Sequence, residues 1–250
     1  MRWLFAGIVG LASIAPGAMP AHAAQVPVQF SEGVTRGFPV LRAMNGERIA
    51  AGEMTQIARG DRVESRMVFR FADGSIFDET AVFSQRGVFT LLKYRLIQRG
   101  PSFPETIEAT VERESGKYQV RYRADEDSPE EVLNGRYDMP PDVYNGMLST
   151  VMKNLQPGES ATVQIIAFTP KPRAVKILLS PAGIDQVQLG DRAVPATRYV
   201  VKPQLGLMAS LLVTDLAPMN CWIANGDAPG FIRFQGPLFF MGPTWRIELN

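Results

Sequence analysis

The feature that most constrains the fold is an alternation of apolar and charged residues along much of the chain. In segment 61–71 the odd-numbered positions from Val63 to Phe71 are mostly apolar, and the even-numbered positions are mostly charged, with Val68 as the exception. Segments 118–123 and 244–249 alternate in the same way. Because successive side chains of a β-strand point to opposite faces, this pattern predicts half-buried strands.

Short turn signals separate these segments. They are the pairs Asn45-Gly46, Asp73-Gly74, Ser115-Gly116 and Asn225-Gly226. Residues of these types tolerate the positive φ angles of tight hairpins, so consecutive strands are expected to be antiparallel neighbours. The sequence therefore predicts an all-β protein, an antiparallel meander that forms an open or closed barrel, a strongly curved sheet or a sandwich.

One segment has helical spacing instead. Asp142 follows two prolines and can cap a helix, with Pro157-Gly158 as a stop beyond its end. The apolar positions at four-residue spacing are Val143, Met147, Val151 and Leu155. We expect a single short helix near 142–154 that packs against the sheet or closes one end of it. Gly146 weakens this helix by up to ~1 kcal/mol relative to alanine.

The amino terminus has the three parts of a secretion signal. Arg2 supplies a basic start, residues 4–15 an apolar stretch, and Ala21-His22-Ala23 a small-x-small cleavage pattern. The apolar stretch is shorter than the ~20 residues that a membrane-spanning helix needs. We expect a cleaved signal peptide over residues 1–23, a single antiparallel β domain over residues 24–250, and localisation in the periplasm or secretion.

The only histidine, His22, lies in the predicted signal peptide. The mature chain then lacks imidazole, which argues against histidine-assisted nucleophiles and histidine metal ligands. We expect no metal and no cofactor. Two carboxylates brought together by folding are still able to cleave a glycosidic bond, so a carboxylate-dependent envelope hydrolase remains an alternative.

The mature chain is electrically neutral and has one cysteine. Removal of Arg2 leaves 25 basic residues against 25 acidic ones. This balance gives no electrostatic reason to expect nucleic acid as a partner. Cys221 has no second cysteine with which to form an internal disulfide, and a small buried apolar residue is the favoured interpretation of this position.

Four motifs resemble a group of exported bacterial proteins of unknown function. They are FSQRGVF at 83–89, QRGPSFP at 98–104, TPKPR at 169–173, and the run from GPL to GPTWRIE at 236–248. The β-rich layout more distantly resembles lipocalin-like and lipoprotein-carrier-like periplasmic open barrels. That second resemblance implies a ligand cavity covered by a helix.

These observations lead to the hypothesis of a non-enzymatic protein that binds an apolar or amphipathic envelope molecule with a lipid-like structure. The candidate apolar contacts are Phe103, Trp222 and Trp245, and the candidate contacts to a polar head are Arg99, Lys171 and Arg173. A rigid connection between strands is the favoured interpretation of residues 99–104, and a solvated loop is the favoured interpretation of residues 171–173. A structural or partner-binding envelope protein is the third alternative.

The most apolar segment of the mature chain is 205–213, which includes Leu207 and Leu211. Nine residues are too few to span a bilayer as a helix. An exposed segment of this composition would touch a membrane surface or admit a lipid chain, and both leucines are therefore candidate ligand contacts. A buried segment would be a central strand.

Overall fold

A computed structural model describes residues 25–204 and 219–249, and this part of the chain contains fifteen strands and one short helix. In chain order the elements are β1 (Thr35–Gly37), β2 (Val40–Ala43), β3 (Arg48–Arg59), β4 (Arg62–Phe71), β5 (Ile76–Ser84), β6 (Thr90–Arg99), β7 (Thr106–Glu112), β8 (Lys117–Arg123), β9 (Glu131–Arg136), α1 (Leu148–Lys153), β10 (Ala161–Phe168), β11 (Pro172–Leu189), β12 (Arg192–Gln204), β13 (Met219–Ala224), β14 (Phe231–Gly236) and β15 (Trp245–Glu248). The predicted all-β antiparallel class is confirmed.

The strands form one sheet built from two meanders. Strands β2 to β9 follow one another as antiparallel neighbours, and so do strands β10 to β15. The two meanders meet where β15 pairs with β2, with Ile247 opposite Leu41. Strands β9 and β10 are the two edges, so the sheet is open. In the described residues, no helix is both long and apolar enough to cross a bilayer.

The predicted turns and faces agree with this sheet. The glycines of three predicted turns, Gly46, Gly74 and Gly116, have positive φ angles and join β2 to β3, β4 to β5, and β7 to β8. On β4, Val63 and Phe69 are fully buried. The charged residues on the other face of that strand are exposed, as the alternation predicts.

Two apolar clusters fill the two ends of the space inside the curved sheet. The first, here called the helix-side cluster, surrounds segment 139–155 and includes Val63, Phe83 and Tyr144. The second, here called the aromatic cluster, consists of Leu41, Ala50, Phe69, Phe71, Phe77, Phe103, Trp245 and Ile247. Val63 lies near the start of β4 and Phe71 at its end, so the two clusters are separated along the strands.

The helix is shorter than the sequence predicts. It covers Leu148–Lys153, and its first turn has no side-chain cap. Asp142 instead pairs with β10, because its carbonyl accepts from the Gln164 backbone at 2.9 Å and its carboxylate accepts from the Gln164 side chain at 2.7 Å. Gly146 adopts a left-handed φ of 67°, which interrupts the helical path. The helix packs inside the sheet among buried residues, so it does more than close one end.

The segment that precedes β1 holds the helix in place. The backbone N–H groups of Gln29 and Phe30 donate to Asn154 Oδ1 at 2.8 and 2.7 Å. Glu32 forms an ion pair with Lys153 of α1 at 2.7 Å. Because these contacts join residues more than a hundred positions apart, the helix is fixed by tertiary contacts rather than by its own six residues.

Candidate functional site

A row of incompletely buried side chains crosses the inner face of the sheet between the two clusters. Met54, Met67, Glu79 and Leu96 are direct cross-strand neighbours on β3, β4, β5 and β6, and all four are half-buried. We call these four residues the Glu79 row. Phe77 and Ala81 flank Glu79 on the same face of β5, and both are buried, the first in the aromatic cluster and the second in the helix-side cluster. Met67 packs against the aromatic cluster and Leu96 packs against both clusters, so the row lies where the two clusters meet.

Glu79 is the acidic member of this row. The Tyr94 hydroxyl donates to Glu79 Oε1 at 2.8 Å. Burial raises the pKa of the Glu79 carboxyl, and the hydrogen bond from Tyr94 opposes that shift in part. Burial and the neighbouring Glu79 raise the pKa of Tyr94 well above its ordinary value. The pair therefore stays neutral over a wider pH range than two free side chains would.

The helix-side cluster fixes both polar groups. The Tyr94 ring stacks on Phe168 with its centroid at 6.1 Å and an interplanar angle of 5°. Asn145 lies beside Tyr94 and is held by both backbone groups of Ile166, at 2.6 and 2.8 Å. Gly146 lies against Glu79, because a Cβ at this position would be 3.4 Å from Glu79 Cδ. Glu79 is thus held against the helix-side cluster by Tyr94 and Gly146.

This arrangement favours recognition of a molecule with one polar group. The carboxyl group of Glu79 accepts hydrogen bonds and, when it is protonated, donates one, while the methionine and leucine side chains supply flexible apolar contact. The described residues contain no group of three His, Cys, Asp or Glu side chains placed to hold a metal ion.

The raised pKa of Glu79 predicts a pH-dependent stability. The native state holds the proton of the Glu79 carboxyl more tightly than the unfolded chain does, and this difference adds to the free energy of unfolding. The added stability is fully present below the unfolded pKa of about 4.3 and is lost as the pH rises through the raised native pKa. We expect the free energy of unfolding of Glu79→Gln to fall less over that window than that of the parent protein. Urea unfolding at several pH values from 4 to 8 measures this difference. Parallel pH profiles for the two proteins would contradict the assignment.

The aromatic residues singled out from sequence lie in two different places. Phe103 and Trp245 are buried in the aromatic cluster, where Phe103 packs edge-on against Phe71 at 5.3 Å. Trp222 lies on the opposite face of the sheet, where its indole N–H donates to Asp185 Oδ2 at 2.8 Å. The structure therefore does not bring the three aromatic candidates together at one surface.

The polar candidates lie at the rim of the sheet. Arg99 ends β6, Lys171 is in the turn between β10 and β11, and Arg173 is near the start of β11, and all three are exposed. Leu207 and Leu211, with the predicted membrane contact over 205–213, lie outside the described residues. Cys221 is buried on the inner face, and burial raises the pKa of its thiol, as expected of a small apolar residue.

Glu79 is not among the site residues predicted from the sequence, although its position carries a signal. Phe77, Glu79, Ala81 and Phe83 alternate on one face of β5, and Glu79 is the only charged member of that face. A carboxylate on an otherwise apolar strand face is costly unless it is protonated or has a partner. That pattern marks a candidate site even before the fold is known.

The fold and the Glu79 row together define an open, curved antiparallel sheet with an acidic group on its inner face. No family model and no curated protein matches the chain. Among solved structures, the chain is similar to a β-barrel-like protein of the domain of unknown function DUF1849 from Brucella abortus. The TM-score is 0.46 at 11% sequence identity, over 88% of this chain and 97% of that one.

Proposed function

We propose that this protein binds an apolar or amphipathic envelope molecule inside its curved sheet, in the periplasm, and does not transform it. The observation that carries the proposal is the half-buried Glu79 row between two buried clusters. Inner surface of this kind in an open barrel is the usual place for an apolar ligand.

The chemistry of the row limits the ligand class. Met54, Met67 and Leu96 offer an apolar wall across three strands, which suits an acyl chain or another flexible hydrocarbon. Glu79 offers one hydrogen-bonding group, which suits a hydroxyl, carboxyl or amide on the ligand. The polar contact of the ligand is thus assigned to Glu79 in place of the exposed residues Arg99, Lys171 and Arg173.

The hydrolase alternative receives less support from the same site. Glycoside hydrolysis requires a second carboxyl group about 5–9.5 Å from the first. The direct neighbours of Glu79 on its face are Met67 and Leu96, and its hydrogen-bond partner is Tyr94. The neighbouring Asp78 points to the outer face and pairs there with Arg66. None of these inner neighbours supplies a second acid.

A filling substitution tests the proposal. Met67→Trp places a larger ring in the inner space, and Arg70→Trp places the same ring on the exposed outer face of the same strand. Overfilling a site costs about 1–3 kcal/mol, so we expect Met67→Trp to weaken binding of an apolar fluorescent probe, N-phenyl-1-naphthylamine, by about tenfold or more. We expect Arg70→Trp to bind as the parent protein does.

The titration is completed by displacement of the probe with oleate. Circular dichroism and thermal unfolding establish that both variants remain folded. Equal probe binding by the Met67→Trp variant and the parent would place the probe elsewhere and contradict the proposal. A parent protein that binds neither probe nor oleate would favour the structural or partner-binding alternative.

A further inference from the structure

Three arginines surround one carboxylate on the outer face of the sheet. Arg42 of β2, Arg233 of β14 and Arg246 of β15 lie on adjacent strands, and all three form ion pairs with Glu248. The nitrogen–oxygen distances are 3.6, 2.9 and 3.2 Å, respectively. We call these four residues the arginine cluster. It lies on the opposite face from the Glu79 row and forms where the two meanders join.

The cluster carries an unbalanced positive charge. Three guanidinium groups share a single carboxylate, which leaves a net charge of +2. The surrounding strands add to this charge or leave it unchanged. Arg48 lies opposite Arg42 on β3, Gln235 lies opposite Arg246 on β14, and the nearby Arg198 is already paired with Asp185.

The excess charge is only partly exposed to water. The three arginine side chains are 31%, 25% and 28% exposed, and the Glu248 side chain is 17% exposed. Like charges at such a site repel one another more strongly than they would in bulk water. A further anion bound at the exposed part of the cluster would reduce this repulsion.

The guanidinium groups are held in place. Arg233 lies over the Trp222 ring at 5.7 Å from its centroid, and Arg42 Nη1 donates to the Gly46 carbonyl at 3.1 Å. Guanidinium groups fixed in this way lose little conformational entropy on binding. Each guanidinium carries five N–H donors, which is more than these contacts use.

We propose that the arginine cluster is a binding site for a phosphate group, either on a small molecule or on a lipid headgroup. A phosphate monoester with two negative charges neutralises the excess charge, and its oxygens accept the planar pairs of N–H donors that arginine presents. This site is independent of the inner face and of the function proposed for it.

Thermal unfolding in sodium phosphate, against sodium chloride of equal ionic strength, tests this proposal on the full mature chain. We expect phosphate to raise the unfolding temperature of the parent protein. Arg246→Gln removes a charge-assisted hydrogen bond and is expected to weaken phosphate binding by about tenfold, as measured by calorimetric titration. Arg121→Gln alters an exposed arginine that pairs with Glu130 elsewhere on the sheet, and it should leave phosphate binding unchanged.

Glu248→Gln separates a ligand site from a purely structural ion cluster. Without the carboxylate the three arginines repel one another, so the variant should unfold at a lower temperature in chloride. Phosphate takes the place of the lost charge, so its stabilising effect should exceed that on the parent. An equal loss of stability in phosphate and in chloride would overturn the proposal.

Two further ligands distinguish a phosphate on a soluble molecule from a phosphate on a lipid headgroup. Glycerol 3-phosphate represents a soluble ligand, and vesicles of phosphatidylglycerol in phosphatidylcholine represent a headgroup. Binding of glycerol 3-phosphate that Arg246→Gln weakens by a similar factor supports a small-molecule site. Binding only to the anionic vesicles, weakened in the same variant, supports a headgroup site. A protein that binds neither glycerol 3-phosphate nor the anionic vesicles would overturn the proposal.

Discussion

Replacing Tyr144 with alanine is expected to lower the free energy of unfolding by about 3–5 kcal/mol, the range for loss of a large buried ring. Tyr144 is fully buried in the helix-side cluster. Its hydroxyl accepts from the Val26 backbone N–H at 2.9 Å and donates to the Phe89 carbonyl at 3.4 Å. The substitution leaves a cavity and removes the acceptor of a buried N–H group. Urea unfolding measures the loss.

Two further variants separate the ring from its hydroxyl. Tyr144→Phe keeps the ring and is expected to cost about 1 kcal/mol through the hydrogen bonds alone. Val132→Ala changes an exposed residue on the edge strand β9 and should alter the stability by less than about 0.5 kcal/mol. A Tyr144→Ala variant as stable as Val132→Ala would show that segment 139–155 does not form part of the core.

Replacing Lys153 with alanine is expected to cost a similar amount, about 3–5 kcal/mol, because it leaves a buried charge without its partner. The Lys153 and Glu32 side chains are 12% and 7% exposed, and their charged atoms lie 2.7 Å apart. Gln56 donates to the other oxygen of Glu32 at 2.6 Å, which does not replace the lost positive charge. Chemical unfolding of the parent and the variant measures the effect.

The matched control is an exposed ion pair. The Arg121 and Glu130 side chains are 52% and 34% exposed. Arg121→Ala breaks this pair and is expected to lower the free energy of unfolding by less than about 1 kcal/mol. The double variant Glu32→Gln with Lys153→Met removes both charges and should recover much of the stability lost in Lys153→Ala. If Lys153→Ala cost no more than Arg121→Ala, the contact between the amino-terminal segment and α1 would be loose in solution.

The strands were predictable from sequence because alternation reports directly which face of a strand is buried. Segment 61–71 and β4 differ by one residue, and segment 118–123 lies within β8. The helix was predicted too long because spacing alone does not reveal that Asp142 pairs with Gln164. That contact joins residues 22 positions apart, and a tertiary pairing of this kind overrides local helix signals.

The sites were much less predictable. An aromatic residue has the same local sequence whether it fills a core, as Phe103 and Trp245 do, or lines an open surface. The arginine cluster depends on the pairing of β15 with β2, which brings Arg246 opposite Arg42 across most of the chain. No local pattern encodes that pairing. Glu79 carries a signal in the sequence, a charge on an apolar strand face, although it was not predicted as a site residue.

Native mass spectrometry of residues 24–250, purified from the periplasm of a Gram-negative host, tests the claim that the inner face around Glu79 holds an apolar or amphipathic molecule. We predict a one-to-one adduct of lipid-like mass on the parent protein and on Arg70→Trp, and loss of that adduct from Met67→Trp. A parent protein that carries no adduct, even after incubation with extracted envelope lipids, would contradict the claim.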